Sequence, residues 1–333
     1  MHSKDSDMAR LTVVIPTFNR PGYLAECLQS VAEQTFRDFD LVVLDNASTE
    51  EYGPVLDRFS SLALTYIKNP ENIGAARNID KARTIGGSSE YHIVFHDDDL
   101  MHPRLLEWQI RVLDAHPEVA WVATECRPFE SGTIPTYGAW PDVETELEVY
   151  ATPDALVRRL LENVSLNFGS VMFRSERSGG VPVRAEEFEI VADRVLLCDI
   201  AKNAPVALIR RPLVHYRHHA GQDTHNPIFR ERHALDLMTY YAALLPIPID
   251  SPDRTLLTRH ATNYLLHARA MVAPENRTRL SDLTRDARAK GLFAWPALDG
   301  QGVAALAHVG GVGGAFDAIR PILGKVKRRL SGE

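Results

Sequence analysis

Short apolar runs alternate with amphipathic stretches along the first 125 residues. "LTVVI" (11–15), "FDLVVLD" (39–45), "LTYIK" (64–68), "YHIVF" (91–95) and "VAWVA" (119–123) are rich in β-branched and aromatic residues, the pattern of strands buried on both faces. Between them Leu24, Leu28 and Val31 recur at i, i+4, i+7 behind Pro21, and Leu105, Leu106, Ile110 and Leu113 repeat the helical period behind Pro103. Proline is favoured where a helix begins, so both stretches predict helices. Strand and helix in alternation predict βαβ units, hence an α/β fold with a mostly parallel sheet and right-handed crossovers. After residue 226 the period becomes helical throughout. "RERHALDLMTYYAALL" and "RTLLTRHATNYLLHARAMV" are separated by "PIPIDSP", which predicts a helical C-terminal region over 226–333.

In such sheets ligands bind at the carboxyl ends of the strands. Those ends read "PTFNR" (16–20), "DNAST" (45–49), "NPENIGAARN" (69–78) and "HDDD" (96–99). Turns favour Pro, Asn, Asp and Gly for conformational reasons alone, but all four polar loops should share one edge of the sheet. Asp97, Asp98 and Asp99 directly follow a buried strand, where carboxylates are costly unless a cation or hydrogen-bond donors compensate them. Hard oxygen ligands of this kind suit Mg²⁺ or Mn²⁺ carrying a diphosphate.

Composition narrows the class further. With 333 residues, 45% hydrophobic and 24% charged, the chain can bury a full core. A net charge of −7 argues against binding a phosphate backbone wholesale, so no nucleic-acid partner is expected. Cys27, Cys126 and Cys198 form no CxxC pair, and neither a disulfide framework nor a cysteine zinc site is indicated, in keeping with a reducing cytosol. The first ten residues lack an apolar signal region and no run of 18 apolar residues occurs, so neither secretion nor a membrane span is expected.

"VVIPTFNRPGYLAECLQSVAEQTFRDFDLVVLDNAST", then "NIGAARN", then "HDDD", resembles the nucleotide-binding half of GT-A, family 2 inverting glycosyltransferases. The resemblance is strong over 11–125 and looser over 150–220. It implies a Rossmann-like GT-A fold, with residues 1–125 as the nucleotide-sugar half, 126–225 as the acceptor-binding and catalytic half, and 226–333 as a helical appendage. It implies a UDP- or dTDP-sugar donor, a hydroxyl acceptor and a divalent cation. Pro16, Thr17 and Phe18 match the loop that cradles the pyrimidine, with Phe18 against the ring. Arg20 and Asn72 join the nucleotide-binding set. Asp45 matches the carboxylate that accepts the base N3–H, which favours uracil or thymine over cytosine. Arg77 matches the cation near the nucleotide, and Gly74 the turn that runs close to it.

The acidic motif fits the family in two registers. Counting back from Pro103 places His96 where many members have their first Asp and Asp98 on the metal. The other register puts Asp97 on the ribose and Asp99 on the metal. Asp99 with Asp98 is the preferred ligand pair, and one carboxylate of the triplet can instead serve the helix that follows.

An inverting transfer needs a general base from beyond the nucleotide half. The resemblance points to Asp193 in "EEFEIVADRVLLCDIAKNA" (186–204), where Ala192 replaces the customary Glu; Glu187 and Glu189 are the fallbacks, and Asp193 also fits a helix cap. "LVHYRHHAGQ" (213–222) resembles the family's Tyr-Arg-x-His element, which makes His219 a candidate for metal or diphosphate and Arg217 for a structural or phosphate contact. Five histidines between 215 and 233 show no repeated zinc-ligand spacing. Residues 126–150 show neither strand nor helical period, and Tyr137 and Trp140 there are either acceptor-facing or packing aromatics. Phe316, Ile319, Leu323, Val326 and Leu330 with Lys325, Lys327, Arg328 and Arg329 form a segment suited to peripheral contact with anionic lipid or to docking, although Pro321 interrupts it. Two rival functions remain: a sugar-1-phosphate nucleotidyltransferase, for which "PTFNRPG" lacks the phosphate-loop glycines, and a non-catalytic nucleotide-sugar or carbohydrate binder of the same fold.

Overall fold

The structure is a computed structural model that describes residues 9–133, 135–136, 147–161, 166–219, 227–245, 254–262 and 277–292. The chain divides into two compact units, Met1–Ala220 and Gly221–Glu333.

The first unit is built on one mixed sheet. Its strands are β1 (Leu11–Thr17), β2 (Phe39–Asp45), β3 (Leu64–Lys68), β4 (Tyr91–Val94), β5 (Leu100–Met101), β6 (Trp121–Glu130), β7 (Leu147–Tyr150), β8 (Met172–Arg174) and β9 (Val206–His218). They lie in the order β3-β2-β1-β4-β8-β6-β9-β5, with β7 also paired to β9. Pairing is parallel across β3, β2, β1 and β4, as the alternation of strand and helix predicts. Antiparallel pairs enter only beyond β4, at β4–β8, β6–β8, β5–β9 and β7–β9, while β6 and β9 run parallel.

Helices α1 (Pro21–Ala32), α2 (Gly53–Arg58), α3 (Ala75–Gly86) and α4 (Leu105–Ala115) connect the first strands, followed by α5 (Pro153–Leu161), α6 (Ser175–Ser178), α7 (Ala185–Phe188) and α8 (Ala192–Ala201). Helix α1 starts at Pro21 and turns Leu24, Cys27, Leu28 and Val31 into the core, and α4 turns in Leu105, Leu106, Ile110 and Leu113. These side chains pack with Leu11, Val13, Ile15, Leu41, Val43 and Ile93 of β1, β2 and β4. Helix α3 approaches the sheet closely at Gly86: a Cβ there would stand 2.7 Å from the Cβ of His92, too near for any other residue.

Two expectations change. β3 is not buried on both faces, because it closes the sheet edge, and Thr65, Tyr66 and Lys68 are exposed. Residues 126–150 are not without strand structure: β6 runs on to Glu130, and β7 occupies Leu147–Tyr150. Their polar residues mask the period because β6 leaves the core after Thr124, where its register against β9 shifts.

In the second unit α9 (Pro227–Leu244), the helical residues 254–262 and α10 (Arg277–Ala289) agree with the helical period. Arg254 donates to the carbonyls of Lys290 and Gly291, satisfying backbone acceptors just past the end of α10. Tyr137, Trp140 and the basic segment 316–330 lie outside the described residues. No helix among the described residues is long and apolar enough to cross a membrane.

Candidate active site

The parallel register places three strand ends side by side: Thr17 pairs with Asp45, and Asp45 with Lys68. Each loop that follows turns along the same edge. At the end of β1 the Thr17 hydroxyl donates to Asp97 Oδ2 at 2.6 Å and lies 2.8 Å from the Tyr52 hydroxyl. Tyr52 is buried and also accepts from the Arg20 amide at 2.9 Å, so it ties the first loop together. Asn19 (φ 52) reverses the chain there, and its side-chain oxygen accepts from the amides of Thr49 and Glu50. Phe18 is left 41% exposed, an aromatic ring with its face available at the site edge.

Asp45 is fully buried at the end of β2. Its Oδ1 accepts from the Ser48 amide at 2.9 Å, and its Oδ2 from the Tyr66 hydroxyl at 2.6 Å. The loop after β3 is held by amides. Asn69 donates to both Asn46 and Asn78, Asn46 donates to Asn72, and Asn72 accepts from the Gly74 amide. This network sets the turn in which Gly74, at φ 83, opens α3 in a conformation that favours glycine. Arg77, one turn on, projects outward and pairs with the exposed Glu186 at 3.2 Å.

The acidic triplet follows β4, and all three members are buried. Arg20 bridges two of them, lying 3.5 Å from Asp97 and 3.0 Å from Asp98. His219 Nε2 lies 2.9 Å from Asp98 Oδ2. Asp99, 0% exposed, accepts from the Arg217 amide at 2.9 Å and from Asn167 at 3.1 Å, and His96 Nδ1 stands 3.6 Å away. Burial and the neighbouring Asp98 raise the pKa of Asp97, against the Thr17 bond. Burial opposes charge on His96, but Asp99 and Asp98 outweigh it and lift the imidazole to about 9.

Arg217 serves structure. It is 1% exposed, its guanidinium lies 4.7 Å from the Tyr23 ring centre and 4.6 Å from that of Phe129, and it donates to Asp98 O and to Glu26.

The ligand atoms of His96, Asp98 and Asp99 all lie within 4.8 Å of one another. Two carboxylates beside one imidazole form a donor set that suits Mg²⁺ or Mn²⁺ and leaves positions for phosphate oxygens, so the residues fit a divalent cation. His219 stands against the cluster through Asp98.

Asp193 lies in the first turn of α8, whose N-cap is Val191, so it does not hold the cap position. Its Oδ1 accepts the Arg194 amide, and it is near enough to His96 for the two charges to interact. Burial raises its pKa above the usual carboxylate range. Of the fallbacks, Glu187 is clamped by Arg184, and Glu189 occupies an unusual backbone conformation at φ 44, ψ −113.

Residues 12–174 match the family model of glycosyl transferase family 2. The match covers 163 of the chain's 333 residues, just under half, and is a similarity to that family. An uncharacterized glycosyltransferase of Haemophilus influenzae is 30% identical over 114 residues, covering 34% of this chain and 37% of that protein. One from Methanocaldococcus jannaschii is 28% identical over 126 residues, covering 35% and 43% respectively. The match therefore spans less than half the length of these curated relatives. The crystal structure of S. aureus TarS 1–349 in complex with UDP superposes with a TM-score of 0.61 at 16% identity, covering 94% of this chain and 91% of that one, a likeness of fold. The fold of the first unit is GT-A, with helices on a central mixed sheet.

The sequence reading missed four groups that hold the family 2 site together: Tyr52, Tyr66, Asn167 and Glu26. "SLNFGS" carried a weak signal for Asn167, since asparagine favours the N-cap it occupies ahead of Phe168–Ser170. Nothing local marked the other three.

Proposed function

We propose that the protein is an inverting glycosyltransferase that moves a sugar from a UDP- or dTDP-sugar to a hydroxyl acceptor, with Asp193 as general base. The observation that carries this reading is the convergence of Asp45, the Thr17–Asp97 and Arg20–Asp98 contacts and the His96–Asp98–Asp99 cluster on one sheet edge, with Asp193 near enough to His96 for their charges to interact. The UDP held by TarS, a protein of like fold, is in keeping with the donor class.

In this reading Phe18 lies against the base and Asp45 accepts its N3–H. Thr17 orients Asp97 toward the ribose. Asp98 and Asp99, with His96, would hold a divalent cation, which would supply positive charge to the leaving diphosphate. Asp193 takes the proton from the acceptor hydroxyl as its oxygen forms the new bond to the anomeric carbon, and the bond from that carbon to the diphosphate oxygen breaks on the opposite face. Burial raises the Asp193 pKa, which makes it a stronger base than a solvated carboxylate. Gly74 lies on the nucleotide side, Arg77 would have to leave Glu186 to reach it, and the Arg20 guanidinium offsets Asp97 and Asp98 before the donor arrives.

A screen of nucleotide sugars by hydrolysis and thermal shift, with and without Mn²⁺, tests the whole reading. UDP or dTDP is expected to raise the melting temperature only with a divalent cation. Equal stabilisation in EDTA would remove the metal role, and no response to either nucleotide would remove the donor class.

A further inference from the structure

Asp45, the base-reading carboxylate of the proposed reaction, has a partner that the resemblance does not supply. Tyr66 reaches across from β3 and donates its hydroxyl to Asp45 Oδ2 at 2.6 Å, while the Ser48 amide occupies Oδ1. Tyr66 is 37% exposed on the sheet edge, so packing alone does not explain an aromatic side chain there. Its ring centre lies 6.4 Å from that of Tyr52, whose hydroxyl meets Thr17 and Arg20 on the base-side loop. A competitor for the same oxygen stands close: the Lys68 ammonium is 3.7 Å from Asp45 Oδ2 and donates to Ser48 O.

A carboxylate offers about four lone-pair sites. Two donors on different oxygens, one of them on rigid backbone, fix the torsion of Asp45; its other lone pairs carry no hydrogen bond from the described residues, and because the carboxylate is 0% exposed a base reaches them by displacing what covers it. Loss of the phenol would free the carboxylate to turn toward Lys68, withdrawing an acceptor from the base. We infer that Tyr66 is a specificity-determining residue: its hydroxyl holds Asp45 as a fixed acceptor, so that the site takes a pyrimidine carrying N3–H, uracil or thymine, and rejects cytosine, whose N3 is itself an acceptor. The inference rests on the nucleotide reading of Asp45 given above. The phenol acts through Asp45, so its effect falls on discrimination between bases rather than on binding of the diphosphate.

Calorimetry of UDP and CDP on the full chain, as wild type and as Tyr66→Phe, tests it. Phenylalanine keeps the ring and removes only the donor. UDP affinity is expected to fall about 5- to 10-fold, the scale of one ordinary hydrogen bond, because the Ser48 amide still holds the carboxylate. CDP affinity is expected to stay level, so the ratio between the two narrows. In an Asp45→Ala background Tyr66→Phe is expected to add nothing, because the two act as one unit. An unchanged UDP-to-CDP ratio in Tyr66→Phe overturns the inference, as does a full additional loss in the Asp45→Ala background. Wild-type protein that binds neither UDP nor dTDP overturns it together with the donor reading. Wild-type preference for UDP that survives Tyr66→Phe overturns this inference alone.

Discussion

Asp45 and Asp193 are the two carboxylates on which the proposed reaction depends, yet the chain holds them differently: Asp45 is fully buried and Asp193 only partly. Asp45, at the end of β2, accepts from a backbone amide and a phenol on separate oxygens, with Lys68 near by. Asp193, in the first turn of α8, accepts its neighbour's amide and has its pKa raised by burial. Donors of the first kind fix a geometry for recognition. Desolvation of the second kind leaves a group with a stronger appetite for a proton. In the proposed reaction the parallel half of the sheet binds and the α8 side transfers the proton, so variants of each should fail in different measurements.

The largest separation is expected from Asp193→Asn, which keeps shape but cannot take a proton. Turnover should fall by about 10²–10⁴ while UDP affinity and melting temperature hold. Near-wild-type initial rates would move the base to Glu187 or Glu189 and dissolve the contrast. Next in size is Arg217→Ala, which removes a buried guanidinium stacked on Tyr23 and Phe129 and leaves the Asp98 carbonyl without its donor, while the part-exposed Glu26 returns to water. The loss should be about 1–3 kcal/mol in chemical denaturation. A smaller loss would show that Arg217 does not hold this part of the structure.

Asp45→Ala should weaken UDP by roughly 1.5–3 kcal/mol in calorimetry and leave the divalent-cation response intact. An unchanged affinity would place base reading elsewhere. The smallest effect is acid sensitivity of the parallel half. Burial, with Arg83 near by, lowers His92 from 6.5 to about 3, so the folded protein holds it neutral while the unfolded chain protonates it. Its stabilising share is present above pH 6.5 and is lost as pH falls from there toward 3. The slope approaches about 1.4 kcal/mol per pH unit in that window. His92→Gln should flatten the melting-temperature profile between pH 6.5 and 5, and an equally steep profile would assign the acid loss to other groups such as His102 and His215, both lowered to about 4 by burial.

Thr17, Arg20, Asp45 and the Asp triplet were legible because each sits just past an apolar run, and the right-handed βαβ rule brings successive strand ends to one edge whatever the details of packing. The register Thr17–Asp45–Lys68 needs no more than that rule and strand lengths. Gly74 was legible for a similar reason, since a φ of 83 at the opening of α3 leaves glycine the favoured residue.

Other features were settled by contacts between distant parts of the chain. Glu26 meets Arg217 across 191 positions, Asn167 meets Asp99 across 68, and Tyr66 meets Asp45 across 21 from a strand whose outer edge has no neighbour. β3 carries the same apolar run as its inner neighbours, and only its place at the end of the sheet exposes Tyr66. Hydrophobic period is a property of a few consecutive residues and follows from backbone geometry, so the sequence alone determined the βαβ order, the strand-end loops and the acidic triplet. Which strand lies at the edge, which donors satisfy each buried acid, and that α8 brings Asp193 within electrostatic reach of His96 depend on how strands β5 to β9, with β5, β7 and β8 antiparallel to their neighbours, close against the parallel set, and only the tertiary structure decided them.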